Sequence, residues 1–198
     1  MGDYLQYLLL PAAYLLGSIS SAVVVARMMR LEDPRNVGSR NPGATNILRY
    51  GGKSAAALTL LGDLLKGVVA VVIARLVTDQ SLVLASVGLL ALVGHVYPIF
   101  FGFRGGKGVA TGFGVWLALS PWVALALVLT WLLAAALFRY SSLSALIATA
   151  LCPVYVWLLL GRWPYVVLSI LMGALLIWRH HSNIEKLLAG KESRIGQT

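Results

Sequence analysis

The chain has 198 residues, 59% of them hydrophobic and only 12% charged, and its mean hydropathy of +0.84 excludes both an ordinary soluble domain and a disordered chain. A formal charge of +9 on such a chain reads as membrane topology, with basic loops set against anionic headgroups. The charges are not gathered on a soluble domain, which argues against a nucleic-acid partner. Cys152 is the single cysteine; it allows no internal disulfide and reads as an inert thiol in an apolar run beside Pro153.

At the amino terminus no basic segment precedes the first apolar run, so a cleaved signal peptide is not expected. Gly2 is followed by Asp3-Tyr4-Leu5-Gln6, which lacks the Ser or Thr of a myristoylation motif. A helix needs about 20 apolar residues to cross about 30 Å of hydrocarbon. Candidate spans fall at 4–29, 54–77, 81–101, 109–119, 122–138, 143–160 and 163–178, and the fourth is conspicuously short. Residues 109–138 could be one long helix kinked at Pro121 or two helices turning back at Ser120-Pro121.

Charge placement decides between them. Arg27, Arg30, Arg35, Arg40, Arg49 and Lys53 follow the first span, Arg104 and Lys107 the third, and Arg179, Lys186, Lys191 and Arg194 the last. All three clusters belong on the cytoplasmic side. A single crossing by 109–138 would put Arg139 and the carboxyl-terminal cluster outside, whereas seven spans keep them inside. The expected fold is therefore all-α, a single seven-span membrane domain over 1–198. Its amino terminus lies outside with Asp3 and its carboxyl terminus is cytoplasmic, with Arg75 and Arg162 as exceptions to the charge rule.

Two Gly-rich basic loops lie on the cytoplasmic face of this topology, at 38–46 (GSRNPGATN) and 104–112 (RGGKGVATG). Glycine lets backbone approach a ligand and aim its N–H groups, while Lys, Arg, Ser and Thr supply the donors that phosphate oxygens need. Glycines that merely make tight turns would not explain the company of Ser39, Asn46, Arg49, Lys107 and Thr111. Neither loop is an NTPase P-loop: Ile47 stands where the first Gly would be before Gly52-Lys53-Ser54, and Gly106-Lys107 is followed by Gly108. His95, His180 and Asp63 lack metal-ligand spacing, so neither a metal nor another cofactor is expected.

Several strings carry a resemblance: Gly17-Ser18-Ile19, residues 38–49, Gly62-Asp63-Leu64-Leu65-Lys66-Gly67, Gly94-His95-Val96-Tyr97-Pro98, residues 103–111, Arg139-Tyr140-Ser141-Ser142-Leu143-Ser144 and Arg179-His180-His181-Ser182-Asn183-Ile184. In order and spacing, from residue 17 to about residue 192, they resemble the bacterial acyl-phosphate:glycerol-3-phosphate acyltransferase family known as PlsY. The resemblance implies a bacterial inner-membrane enzyme of phospholipid synthesis with its active site on the cytoplasmic face. It would move a fatty acyl group from acyl phosphate to the 1-hydroxyl of glycerol 3-phosphate, releasing lysophosphatidic acid and phosphate. It also assigns Ser39, Thr45, Asn46 and Arg49 to one anion site, Gly105, Gly106, Lys107, Gly108 and Thr111 to another, and Ser142, His180 and Asn183 to the reacting centre. Lys107 is counted with that centre as catalytic. Three positions depart from the family pattern: Ser20 stands for a usual Pro, Arg40 for a usual Gly, and Lys186 for a frequent Arg.

These substrates suit the residues. Two anions, one with an apolar tail, need two phosphate cradles beside an entry from membrane lipid. Acyl phosphate is already an activated mixed anhydride, so positioning and charge stabilisation can suffice without a protein nucleophile. Asp63 and Lys66, three residues apart deep in the second span, read equally as a self-neutralising pair or as ligand contacts. His95 reads mainly as a structural histidine. A carrier using the loops as a gate would need polar residues on several spans, and only the second carries charge at depth. A structural subunit leaves the loops unexplained. Oligomeric state is not legible.

Overall fold

The structure, a computed structural model, describes Tyr4 and residues 6–196, so Asp3, expected on the outer side, lies outside the described residues. Every regular element among the described residues is helical. The described residues form two compact units that divide between Leu119 and Ser120.

The first unit holds α1 (Leu9–Gly17), α2 (Ser21–Met28), α3 (Ala44–Val77), α4 (Ser81–Val96) and α5 (Val109–Leu119), with short 3-10 turns at Gln6–Leu8 and Ile99–Phe101. The expected first span is broken: 6–17 and 21–28 meet at 43° across Ser18–Ser20. At this break the Ser18 hydroxyl turns back to the Tyr14 carbonyl at 2.8 Å, and the Ile19 carbonyl takes a hydrogen bond from the Lys66 ammonium, also at 2.8 Å. A carbonyl freed from a helix at membrane depth must find such a donor. Likewise α3 starts ten residues before the expected span and is interrupted at Gly52, whose φ of 83° few other residues adopt.

Glycines let these helices pack backbone to backbone, as small residues do in membrane bundles. A side chain at Gly94 would collide with the Tyr14 carbonyl of α1, one at Gly67 with the Thr111 carbonyl of α5, and one at Gly114 with the Leu64 carbonyl of α3. The α3–α5 contacts run in one sense: Thr111 bonds the Asp63 carbonyl, and Arg75 donates to the Leu119 carbonyl at 2.8 Å. Helix α5 is thus parallel to α3. It begins level with the middle of that helix and finishes near its end. Its 11 residues span about 16 Å, roughly half the hydrocarbon. Arg75, an exception to the charge rule, is used here to cap a helix end.

The second unit holds α6 (Pro121–Phe138), α7 (Ser141–Leu160), α8 (Trp163–Arg179) and the short α9 (His181–Leu188). Ser120 caps α6, accepting from the Val123 N–H, and Pro121 takes a position where no backbone donor is needed. Left-handed residues end α6 and α7, Arg139 at φ 62° and Gly161 at φ 59°. Between α6 and α7, Thr130 spends its own proton on the Ala126 carbonyl and so accepts from the Tyr155 hydroxyl at 2.8 Å. Helix α9 leaves α8 at 60°.

By length and composition four helical stretches among the described residues can cross a bilayer, namely α3, Ser81–Phe101, α6 and α7, and six can if each bent pair counts as one span. The remaining expected span, the fourth, is the short α5.

Candidate functional site

In the first unit the segment between α2 and α3 is held from within. Asp33 takes both Nε and Nη2 of Arg35, the latter at 2.6 Å, and the guanidinium also donates to the Phe101 carbonyl at 3.2 Å. Arg35 therefore straps this loop to the start of the second one. Hydrogen bonding by Arg35 holds the Asp33 carboxyl below its usual range, and Asp33 in turn raises the guanidinium.

Asn46, 1% exposed, organises the rest of the loop. Its Nδ2 donates to the Pro34 and Val37 carbonyls, both at 3.0 Å, and its Oδ1 accepts from the Ser39 N–H at 3.0 Å. Each partner can act in only one sense, so the amide has one possible orientation. Asn46 and Thr45 lie in the first turn of α3 rather than in the loop, and Arg49 follows on the same helix. Ser39, Thr45 and Arg49 are exposed around the buried amide. Gly38 is left-handed at φ 60°, and so is Arg40 at φ 57°. That geometry accounts for the usual glycine at position 40. The Arg40 side chain is exposed here, and its N–H still closes a turn to the Val37 carbonyl.

The second loop is buried where it matters. Gly105, Gly106 and Gly108 are inaccessible and Lys107 is half-buried among them. A side chain at Gly105 would strike the His95 and Val96 carbonyls, and one at Gly106 would strike the His95 ring and stand 2.9 Å from the Pro42 carbonyl. The two Gly-rich loops thus adjoin at Pro42 and Gly106. The Gly106 N–H donates to the His95 carbonyl at 3.2 Å.

Beneath the loops lies a polar group at membrane depth. Lys66 sits 3.0 Å from Asp63, and the His95 Nδ1 is 3.5 Å from the same carboxylate oxygen and 3.1 Å from the Thr111 Oγ1. The Thr111 side chain is fully buried and donates to the Asp63 carbonyl at 2.9 Å. Charge at this depth is tolerable only when paired, as it is here. Asp63 and Lys66 act as the self-neutralising pair, with Lys66 also serving the broken first helix.

In the second unit Ser142 and Asn183 converge on one acceptor. The Ser142 hydroxyl donates to the Glu192 Oε1 at 2.6 Å and the Asn183 Nδ2 to the same oxygen at 2.7 Å. The tail continues along the α6–α7 turn: the Ile195 N–H donates to the Arg139 carbonyl at 2.6 Å, and the Arg194 guanidinium lies over the Tyr140 ring. His180 is buried, with Nδ1 2.7 Å from the Leu176 carbonyl; a carbonyl only accepts, so that nitrogen carries the proton.

Sequence reasoning did not single out Glu192 or Arg35. The available signal was scarcity, since the chain has only seven acidic residues and each needs a reason to be present.

The model of the glycerol-3-phosphate acyltransferase family matches residues 7–190. Glycerol-3-phosphate acyltransferases of Methylococcus capsulatus and Thioalkalivibrio sulfidiphilus are 56% and 54% identical, the first over 96% of both chains and the second over 93% of this chain and 91% of its own. Two solved structures of PlsY (YgiH), an integral membrane glycerol 3-phosphate acyltransferase, superpose with TM-scores of 0.92 and 0.90. The first is its glycerol 3-phosphate form, 43% identical and covering 96% of each chain; the second is its lysophosphatidic acid form, 42% identical, covering 96% of this chain and 95% of that one. With a family model matching nearly its whole length and relatives above half identity over comparable spans, the chain belongs to the glycerol-3-phosphate acyltransferase family.

Proposed function

We propose that this chain acylates glycerol 3-phosphate to lysophosphatidic acid, taking the acyl group from acyl phosphate. The acceptor and product are those of the PlsY structures it resembles; the 1-hydroxyl and the acyl-phosphate donor follow from the family resemblance. The observation that carries the reading is the meeting of two Gly-rich loops at Pro42 and Gly106, with Lys107 beside them. Two adjoining cradles of backbone N–H and cationic groups suit two phosphates that must react with one another.

In the reaction the 1-hydroxyl oxygen bonds to the acyl carbon as the acyl carbon–oxygen bond to phosphate breaks. The hydroxyl proton passes to a phosphate oxygen of the donor, and inorganic phosphate leaves. Ser39, Thr45 and Arg49, organised by Asn46, serve one anion; Gly105, Gly106, Lys107 and Gly108 serve the other, with Thr111, fully buried and its proton on the Asp63 carbonyl, behind them rather than in contact with the anion. Ser142, His180 and Asn183 of the second unit are assigned to the reacting centre. The enzyme's work is then orientation and charge stabilisation.

The topology belongs to the same reading. The chain is one multi-pass domain of the bacterial inner membrane with seven passes, an outer amino terminus and a cytoplasmic site. The fourth pass is α5 completed by the irregular loop before it, whose glycines Gly105, Gly106 and Gly108 are buried in protein.

Purified protein given palmitoyl phosphate and glycerol 3-phosphate should release phosphate and form lysophosphatidic acid. Lys107→Ala should cut turnover at least about tenfold, since a charge-assisted hydrogen bond is worth roughly 1.5–3 kcal/mol. Absence of product in folded wild-type protein would remove the proposal. In a Cys152→Ala background, a cysteine replacing the exposed Pro121, beside the buried Ser120 cap, should react with an impermeant thiol reagent on intact cells, and one replacing Ser193 only after lysis. The reverse pattern would invert the topology.

A further inference from the structure

The Thr111 hydroxyl has a single proton, and the Asp63 carbonyl takes it at 2.9 Å. Toward His95, 3.1 Å away, the Thr111 oxygen can therefore only accept, which puts a proton on the His95 Nδ1. The Asp63 carboxylate, 3.5 Å from the same nitrogen, favours that proton as well. With Nδ1 turned inward, Nε2 faces the loop, where Gly106 leaves room only because it has no side chain. The His95 main-chain carbonyl receives the Gly106 N–H, so one residue touches the loop through both its ring and its backbone. Behind Asp63, Lys66 reaches the carbonyl exposed by the break in the first helix.

We propose that His95 is a positioning residue for acyl transfer: Asp63 and Thr111 fix its ring, and the ring and backbone together set the course of the loop that carries Lys107. The Asp63–Lys66 pair thereby acts on a phosphate site it does not touch. This rests on the acyltransferase reading for its kinetic arm only. An ammonium displaced by even one ångström costs a phosphate its best contact.

Two measurements on the full chain in detergent test it. In protein labelled with 15N-histidine, with His180→Gln and His181→Gln used only to assign the signals, His95 should carry a proton on Nδ1. A bare Nδ1 overturns the proposal whatever the enzyme does. In the double variant Asp63→Asn, Lys66→Gln, both charges vanish together, so no unpaired buried ion remains to unfold the protein. The KM for at least one of the two phosphate substrates should rise by about fivefold to tenfold, the weight of one hydrogen bond. Thr111→Val, which keeps the shape and removes the hydroxyl, should raise the same KM, and combining it with the double variant should add little because both act through one ring. A purely structural role would shrink the folded fraction, lowering kcat at unchanged KM, and that result also overturns the proposal. Wild-type protein that forms no lysophosphatidic acid would instead sink the activity while leaving the His95 signal to be read.

Discussion

Replacing Asn46 by Asp changes one atom and reverses its sense. The Nδ2 that donates to the Pro34 and Val37 carbonyls, each at 3.0 Å, becomes an oxygen facing two oxygens in a site only 1% exposed. Two hydrogen bonds are lost at about 1 kcal/mol each, and each buried carbonyl left without a donor costs about 1–3 kcal/mol more. The total, at least about 4 kcal/mol, falls on residues 34–39, because the first turns of α3 are held by Ile47 packing on Ala22, Val25 and Ala26 of α2. The loop should open while the helices stay. Even if repacking recovers half of that cost, catalytic efficiency should fall at least about thirtyfold. Phosphate release from palmitoyl phosphate, with glycerol 3-phosphate titrated, measures this, and thermal unfolding in detergent should show a much smaller change than the activity does. Efficiency within twofold of wild type in folded Asn46→Asp would refute the assignment of Asn46 as the loop's organiser.

Glu192→Gln keeps an acceptor for Ser142 and Asn183 but removes the charge, worth about 1 kcal/mol relative to a neutral bond, so trypsin should cut after Lys191 or Arg194 about fivefold faster; an unchanged rate would mean the tail is held by Arg139 and Tyr140 alone. Gly114→Ala drives a methyl group into the Leu64 carbonyl and should lower the thermal midpoint by about 5 °C, with an unchanged midpoint ruling out backbone-to-backbone packing of α3 and α5. Asp33 is held below its usual 3.8 by Arg35, so its stabilising effect is complete above that value and is lost as pH falls through the lower folded one. The strap should therefore be constant from neutral pH down to about 5, and an Asp33→Asn variant should lose the acid-dependent part of loop stability, read by hydrogen exchange at Ser39 and Phe103.

What could be read before the structure was what chemistry writes locally. Gly105, Gly106 and Lys107 mark themselves, because only a ligand or a close backbone explains glycines flanking a cation between apolar runs. The later spans are equally plain, since Pro121, Arg139 and Gly161 punctuate continuous apolar sequence. Other features depend on partners distant along the chain. Asn46 looks like a ligand-binding amide until the backbone of residues 34–39 folds around it. Lys66 reads equally as half of a neutral pair or as a substrate contact until the break at Ser18–Ser20, with its exposed carbonyl, supplies a further use. The shortness of α5 is visible in sequence, but its cause is not, because it lies in the register of Thr111 on Asp63. Arg40 reads as a chemical departure and is instead a conformational one, placed where a left-handed backbone is required.

Because α5 is tied to α3 at both ends, by Thr111 at Asp63 and by Leu119 at Arg75, its length is fixed. Adding or removing one residue would advance the helix by about 1.5 Å and turn it by about 100°, so only one tie could survive. Gly114 would also swing away from Leu64 and present a bulkier neighbour to the same carbonyl. Insertions and deletions among natural relatives should therefore be absent between residues 105 and 119. They should gather in the connections at 78–80 and 161–162, where the chain turns without such double anchoring.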